Sequence, residues 1–309
     1  MDIDLVYLWC DGNNQKWQEK KHQRLLSLGG KVNDKSLQEC RFIQSDELLY
    51  SLRSVEKYAP WIRKIFIITD DQKPEWLNTK HPKITVIDHK EIMPANALPC
   101  FNSEAIETRI PYIPDLSEFF ILANDDNFFW NTVEEEFFFT QDRKPICRMS
   151  SKIKNKKYNN LYGRNIAHSY NIFKNKYPKN NIPYFPHHNI DTYRKSYFLA
   201  CINEFQKDFD YTTIQPFRKE NSIQRIIIQY YMIANNFAEL KIIKKPWYNP
   251  FAQLESKYIK CKKQKLKNII NDSCKILCIN DAEKTTEQDR IFMQEILHKK
   301  FPQKSQFEL

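Results

Sequence analysis

Short apolar runs that stop abruptly at aspartate recur along this chain, and they restrict the folds open to it. Lys64-Ile65-Phe66-Ile67-Ile68-Thr69 ends at Asp70-Asp71, Ile84-Thr85-Val86-Ile87 ends at Asp88, and Phe119-Phe120-Ile121-Leu122-Ala123 ends at Asn124-Asp125-Asp126. Runs of this length, rich in aromatic and β-branched residues, predict buried strands, with buried helix as the alternative reading. Ile3 to Trp9 predicts a first strand, closed by the turn-rich Cys10-Asp11-Gly12-Asn13-Asn14. Helical segments lie between the runs. A polar one is predicted from about Asn14 to Ser27. A second follows Ser45-Asp46-Glu47, where Leu48, Leu49, Leu52 and Val55 form one apolar stripe, Ser45 is the expected cap and Pro60 the stop. Strands separated by helices predict an α/β fold built on a doubly wound, mostly parallel sheet. Such sheets bind ligands outside the carboxyl ends of their strands, the edge where these aspartates gather. Aspartates after strands also serve as caps and Asx turns, so both readings stand at this point.

With 309 residues the chain is long enough for a sizeable core, and it is expected to form one domain over 1–309. No apolar run approaches the roughly 20 residues of a membrane span. Met1-Asp2-Ile3-Asp4 lacks the basic-then-apolar pattern of a signal peptide, so a cytoplasmic location is expected. The formal charge of +10 suggests an anionic partner, and a basic surface allows peripheral contact with the inner face of a membrane. Eight scattered cysteines without a Cys-x-x-Cys predict reduced thiols and no zinc site. Glycine is the most telling count. With Gly12, Gly29, Gly30 and Gly163 alone, neither a dinucleotide fingerprint nor a P-loop can be written. A phosphorylated ligand would have to be met by arginine, lysine, a metal or a helix N-terminus instead.

Further along, 150–182 interleaves lysines with Tyr158, Tyr162, Tyr170, Phe173 and Tyr177. This basic aromatic stretch reads as an insertion, either a platform for an anionic polymer or a solvated surface. Pro186-His187-His188 sets two of seven histidines side by side, a candidate general base. Arg218 stands before an apolar helical pattern at Ile223, Ile226, Ile227 and Tyr230, either as a phosphate clamp or as a surface residue. Ile276-Leu277-Cys278-Ile279-Asn280-Asp281 repeats the apolar-run-then-acid pattern, and a helix from about Thr286 to Lys300 follows.

Together these segments resemble the Stealth family, in four ordered blocks. The first is Ile3-Asp4-Leu5-Val6-Tyr7-Leu8-Trp9 with Asp11-Gly12. The second runs from Arg41-Phe42 through Tyr50-Ser51-Leu52-Arg53-Ser54-Val55-Glu56, Ala59-Pro60-Trp61, Phe101-Asn102-Ser103 and Ala105-Ile106-Glu107 to Asn124-Asp125-Asp126. The third is Pro186-His187-His188 with Ile190-Asp191, Thr213 and Phe217-Arg218. The fourth is Cys278-Ile279-Asn280-Asp281 with Phe301-Pro302 and Ser305-Gln306-Phe307-Glu308. Three positions depart from the family pattern: Arg109 stands where many relatives have histidine, the histidine is doubled, and Asn221 stands where an acid is usual.

The resemblance implies a Rossmann-like, GT-A-like sheet. It also implies transfer of a hexose 1-phosphate, N-acetylhexosamine 1-phosphate for instance, from a UDP-sugar to a hydroxyl of a polysaccharide or glycan, with release of UMP. Nucleic acid is not an expected partner. Asp125 or Asp126 would hold Mg²⁺ or Mn²⁺, with Asn280 and Asp281 as further metal candidates. Arg218 and Arg53 would clamp phosphoryl oxygens, and His187 or His188 would accept the acceptor proton. Trp9, Asp11, Gly12, Asn102, Ser103, Glu107 and Asn221 would contact the nucleotide sugar. The alternatives are a metal-dependent glycosyltransferase that releases UDP, and a non-catalytic module that binds an anionic polymer.

Overall fold

Each apolar run that ends at aspartate is a strand. The computed structural model describes residues 1–29, 42–153, 158–187, 190–243, 251–255, 274–281 and 285–309. In chain order the strands are β1 (Ile3–Leu8), β2 (Ile65–Thr69), β3 (Ile84–Asp88), β4 (Phe119–Asn124), β5 (Asn127–Phe129), β6 (Ile146–Lys152), β7 (Tyr184–Pro186), β8 (Asp191–Arg194), β9 (Glu239–Ile242), β10 (Phe251–Glu255) and β11 (Ile276–Asn280). The helices are α1 (Gln15–Ser27), α2 (Glu47–Tyr58), α3 (His89–Ile92), α4 (Ser103–Glu107), α5 (Leu161–Lys176), α6 (Lys195–Glu204), α7 (Gln206–Thr213), α8 (Ile226–Ala234) and α9 (Glu287–Lys300).

The main sheet runs β3-β2-β1-β4-β8, parallel from β3 to β4, with β8 antiparallel at the edge. The chain steps outward from β1 to β3 and then returns to the other side of β1 with β4. The order therefore reverses between β1 and β4, the switch point at which such sheets leave a crevice. Strict alternation fills both faces. Leu5, Tyr7, Ile65, Ile67, Ile121 and Ala123 pack on one side with Leu48, Leu52 and Val55 of α2. Val6, Phe66, Ile68, Phe120 and Leu122 pack on the other with residues of α5, α6 and α8. Burial on both faces explains why these strands read as continuous apolar runs. Each fully buried large side chain contributes about 1.5–3 kcal/mol.

Two smaller sheets among the described residues hang on this core. β11 pairs antiparallel with β5 and parallel with β10. β6 pairs antiparallel with β7 and parallel with β9. Among the described residues no helix is long and apolar enough to cross a membrane.

Some local expectations are corrected. Ser45 does not cap α2: Asp46 occupies the cap position at a left-handed φ of 62° without a side-chain bond, and the Ser45 N–H donates to Glu47 Oε2 at 2.6 Å. Among its described residues the stretch 150–182 is only partly solvated. β6 and α5 lie there, with Ile166 and Phe173 fully buried, and Phe173 meets Tyr170, Tyr177 and Tyr230 ring to ring. The aromatics face the core because α8 offers them an apolar face, while Arg164 and Lys176 pair outward with Glu220 and Glu204. Lys154, Lys156 and Lys157 lie outside the described residues. Arg218 does not head a helix either, since α8 begins only at Ile226.

Candidate active site

The turn from β4 into β5 sets the first side chains of the site. Asn127 Oδ1 accepts the Asn124 N–H at 3.0 Å and so closes the turn. β11 then runs alongside, with the Ile279 N–H donating to the Asp126 carbonyl at 3.1 Å. That pairing brings Asn280 and Asp281 to the same place as Asp125 and Asp126, across more than half the chain.

A cleft of about 540 Å³ opens here, lined by Trp9 after β1, Asp125 and Asp126 after β4, and Asn280 and Asp281 after β11. Ser103, Glu107, His187 and Arg218 line it too. The size is that of an ordinary ligand pocket, and the location is the switch point itself.

One end gathers Glu47, Asp125 and Asp126, and the other mixes arginines with carboxylates. At the acid end, Asp126 is pushed up to about 8 by burial first and by the neighbouring Asp125 charge second. Glu47, at the first turn of α2, is likewise pushed up to about 8, by burial and then by Asp125. Asp126 Oδ1 is shielded from solvent and has no hydrogen-bond partner. Asp125 Oδ2 accepts from Gln44 Nε2 at 3.1 Å, and Gln44 Oε1 in turn accepts from Trp9 Nε1 at 2.9 Å. Asp281 is paired with Arg290 at 2.7 Å, so its charge is already compensated.

At the other end Arg225 is locked between Glu107 at 2.9 Å and Asp191 at 2.7 Å, and Gln229 supports Asp191 at 2.8 Å. Burial alone would lower the Arg225 pKa, but the two carboxylates outweigh it and hold the guanidinium charged. Arg218 differs. Phe217 stacks on Phe101 at 5.5 Å and holds the loop, and Arg218 Nη2 donates to the neutral Ser103 Oγ. Among the described residues it makes no ion pair, although the buried Glu107 feels its charge. His187 is 3% exposed and is placed by the strand pair β6–β7, its N–H donating to the Arg148 carbonyl at 3.0 Å.

Other predicted contacts lie away from the cleft. The Arg53 guanidinium is held by both oxygens of Glu308 and by the Phe301 carbonyl, so it braces α2 against the C-terminal segment and is not a phosphate clamp. Asn102 caps α4 and donates to the Gln215 carbonyl, a buried structural duty. The Asp11 carboxylate accepts from the Asn13 N–H. Gly12 is required by packing, since a Cβ there would stand 2.3 Å from the Phe42 carbonyl oxygen. Asn221 is solvent-exposed. His188 lies outside the described residues. Sequence reading missed roles for Gln44, Glu47, Asp191 and Arg225. The Arg225 partners are 34 and 118 residues distant, so no local pattern announces them.

An α/β crevice that presents carboxylates, an imidazole and a guanidinium without an ion pair among the described residues is suited to transferring a phosphate-containing group. Residues 41–147 match the family model described as Stealth protein CR2, conserved region 2. The chain is 32% identical to the exopolysaccharide phosphotransferase cps2G of Lactiplantibacillus plantarum, over 99% of this chain and 96% of that protein. It is 31% identical to the capsular polysaccharide phosphotransferase WcwK of Streptococcus pneumoniae, over 99% of each. A solved structure of the galactosyltransferase LgtC aligns with 98% of this chain and 96% of its own, at a TM-score of 0.45 and 9% identity. The chain belongs to the Stealth family and is an enzyme of the phosphotransferase class.

The donor set at the acid end suits a hard divalent cation. Its oxygens include one buried and partnerless, on Asp126, whose carboxyl is pushed up by burial and then by the Asp125 charge. Among the described residues no three His, Cys, Asp or Glu side chains form a metal cage.

Proposed function

We propose that this enzyme transfers a sugar 1-phosphate from a nucleoside diphosphate sugar, UDP-linked, to a hydroxyl of a surface polysaccharide, releasing the nucleoside monophosphate. The observation that carries the reading is the meeting of Asp125, Asp126, His187 and Arg218 in one cleft at the switch point. Attack at phosphorus asks a protein for positioning and charge neutralisation more than for covalent chemistry.

Asp125 and Asp126 would hold Mg²⁺ or Mn²⁺, which when bound supplies charge neutralisation to the diphosphate and to the leaving monophosphate. Arg218, steadied by Ser103, donates to the phosphoryl oxygens, a task that suits a planar fork of N–H groups. His187 accepts the proton of the attacking hydroxyl at a ring nitrogen. Gln44 keeps Asp125 and Trp9 in fixed relation across the cleft mouth. The Glu107–Arg225–Asp191 cluster forms a rigid floor, its guanidinium occupied by both carboxylates.

The polysaccharide phosphotransferase names of the full-length relatives support the acceptor class. Identification of the released nucleotide tests the reaction. Monophosphate release that requires a divalent ion and an acceptor is expected; stoichiometric diphosphate would replace this reading with glycosyl transfer at the sugar carbon. His187→Ala should lower turnover about 10²–10⁴-fold while leaving donor affinity close to wild type.

A further inference from the structure

Tyr162 stands apart from the other aromatics of the basic stretch. Tyr158, Tyr170, Phe173 and Tyr177 each meet another ring, at Phe185, at Tyr230 or among themselves. Tyr162, the second residue of α5, has no ring partner among the described residues and lines the active cleft instead. It is half-buried, and among the described residues no hydrogen bond engages its hydroxyl. Burial raises the phenol above its ordinary pKa, so the hydroxyl stays protonated and acts as a donor.

The helix that carries it is fixed at three points. Asn160 Oδ1 caps α5 by accepting the Gly163 N–H at 2.7 Å. Asn165 Nδ2 donates to both oxygens of Glu104 on α4, at 3.1 and 2.9 Å. Ser169 Oγ accepts the Gln224 N–H at 2.8 Å, one residue before Arg225. Tyr162 is therefore held in place by its helix, with its own polar group unspent. Ligand pockets orient their occupants through a few polar groups placed in this way.

The surroundings restrict the occupant. The charges that act on the hydroxyl are, from strongest to weakest, Arg225, Asp191, Glu107 and Arg218. Arg225 is bound to both carboxylates, so the floor beside Tyr162 offers one cation against two acids. A further phosphate here would face those acids, and an apolar group would leave the hydroxyl unpaired. A neutral ring that carries hydroxyls meets neither objection. With the phosphoryl group at Arg218, the nearest such ring is the sugar joined to it through a single oxygen.

We infer that Tyr162 is a sugar-contacting residue, its hydroxyl donating to an oxygen of the hexose whose 1-phosphate is transferred. The inference rests on the donor being a nucleoside diphosphate sugar.

Calorimetric titration of the full chain in Mg²⁺ with UDP-glucose, UDP-galactose, UDP-N-acetylglucosamine, UDP-N-acetylgalactosamine and sugar-free UDP tests this. Tyr162→Phe, which deletes only the hydroxyl, should weaken the best-bound UDP-sugar about three- to tenfold, the size of one net hydrogen bond. UDP should bind the variant as it binds wild type. Tyr162→Ala, which removes the ring as well, should weaken the same UDP-sugar further and again spare UDP, which excludes misfolding as the cause. Unchanged UDP-sugar affinity in Tyr162→Phe overturns the contact, as does a loss shared equally by UDP. Failure of wild type to bind UDP or any of the four UDP-sugars overturns the donor reading itself, a result distinct from both.

Discussion

Two arginines share one cleft and have opposite fates. Arg225 is flanked by Glu107 and Asp191 and is satisfied by the chain, whereas Arg218, among the described residues, makes no ion pair and donates to the neutral hydroxyl of Ser103. The acids divide in the same way: Asp281 and Asp191 have cationic partners, while Asp125, Asp126 and Glu47 crowd one another with none. Charges matched within the protein build the site, and charges left unmatched await a ligand. The contrast separates framework from chemistry without reference to any relative.

The sharpest way to break the comparison is to exchange the consequences of the two arginines. Arg225→Met leaves two buried carboxylates facing each other and should cost about 3–5 kcal/mol in denaturant unfolding, with activity lost through unfolding. Arg218→Ala should leave the unfolding midpoint near wild type while transfer falls about 10²–10³-fold, the usual cost of one donor to a reacting oxygen. Arg218→Lys should recover little of it, since a point charge cannot replace the fork. If Arg218→Ala unfolds the protein, or Arg225→Met stays folded and merely slow, the division is wrong.

A pH series sharpens the acid side. Glu47 has a folded pKa of about 8, raised by burial and then by Asp125. A carboxyl raised in the folded state contributes stability fully below its unfolded pKa, near 4.5, and loses it as pH rises toward 8. Metal-free enzyme should therefore unfold more easily at pH 8.5 than at pH 5.5, and Glu47→Gln should flatten that difference by about 2 kcal/mol. Added Mn²⁺ should stabilise the wild type more at the higher pH, because the carboxyls must shed protons to bind it. The smallest effect is expected at Gln44. Gln44→Ala removes one hydrogen bond to Asp125 and one from Trp9, and should raise the Mn²⁺ concentration for half-maximal binding by about three- to tenfold.

How much of this was legible beforehand depended on range. β4 was readable from its nearly continuous buried run, and β3, only partly buried, from its β-branched residues before Asp88. The α9 start was readable too, because Thr286 and Asp289 form a capping box within four residues. The α2 cap was misread: Asp46 adopts a left-handed conformation that no local pattern near Ser45 betrays. Asp125, Asp126, His187 and Arg218 all line one cleft. Arg53 was drawn off by Glu308, 255 residues away, a partner that only the folded chain supplies. The basic aromatic stretch was misjudged because composition does not tell which way a tyrosine faces.

By itself the sequence determined the alternation of strands and helices and the placing of aspartates at strand ends, and its scarce glycine left no glycine-rich phosphate loop to be written. Those properties follow from local periodicity and from residue chemistry, which act within a few positions. The tertiary structure decided which charges find partners. Electrostatic compensation is a matter of ångströms in space between residues up to hundreds of positions apart, so only the packed sheet could give Arg225 its carboxylates and leave Arg218 and Asp126 without.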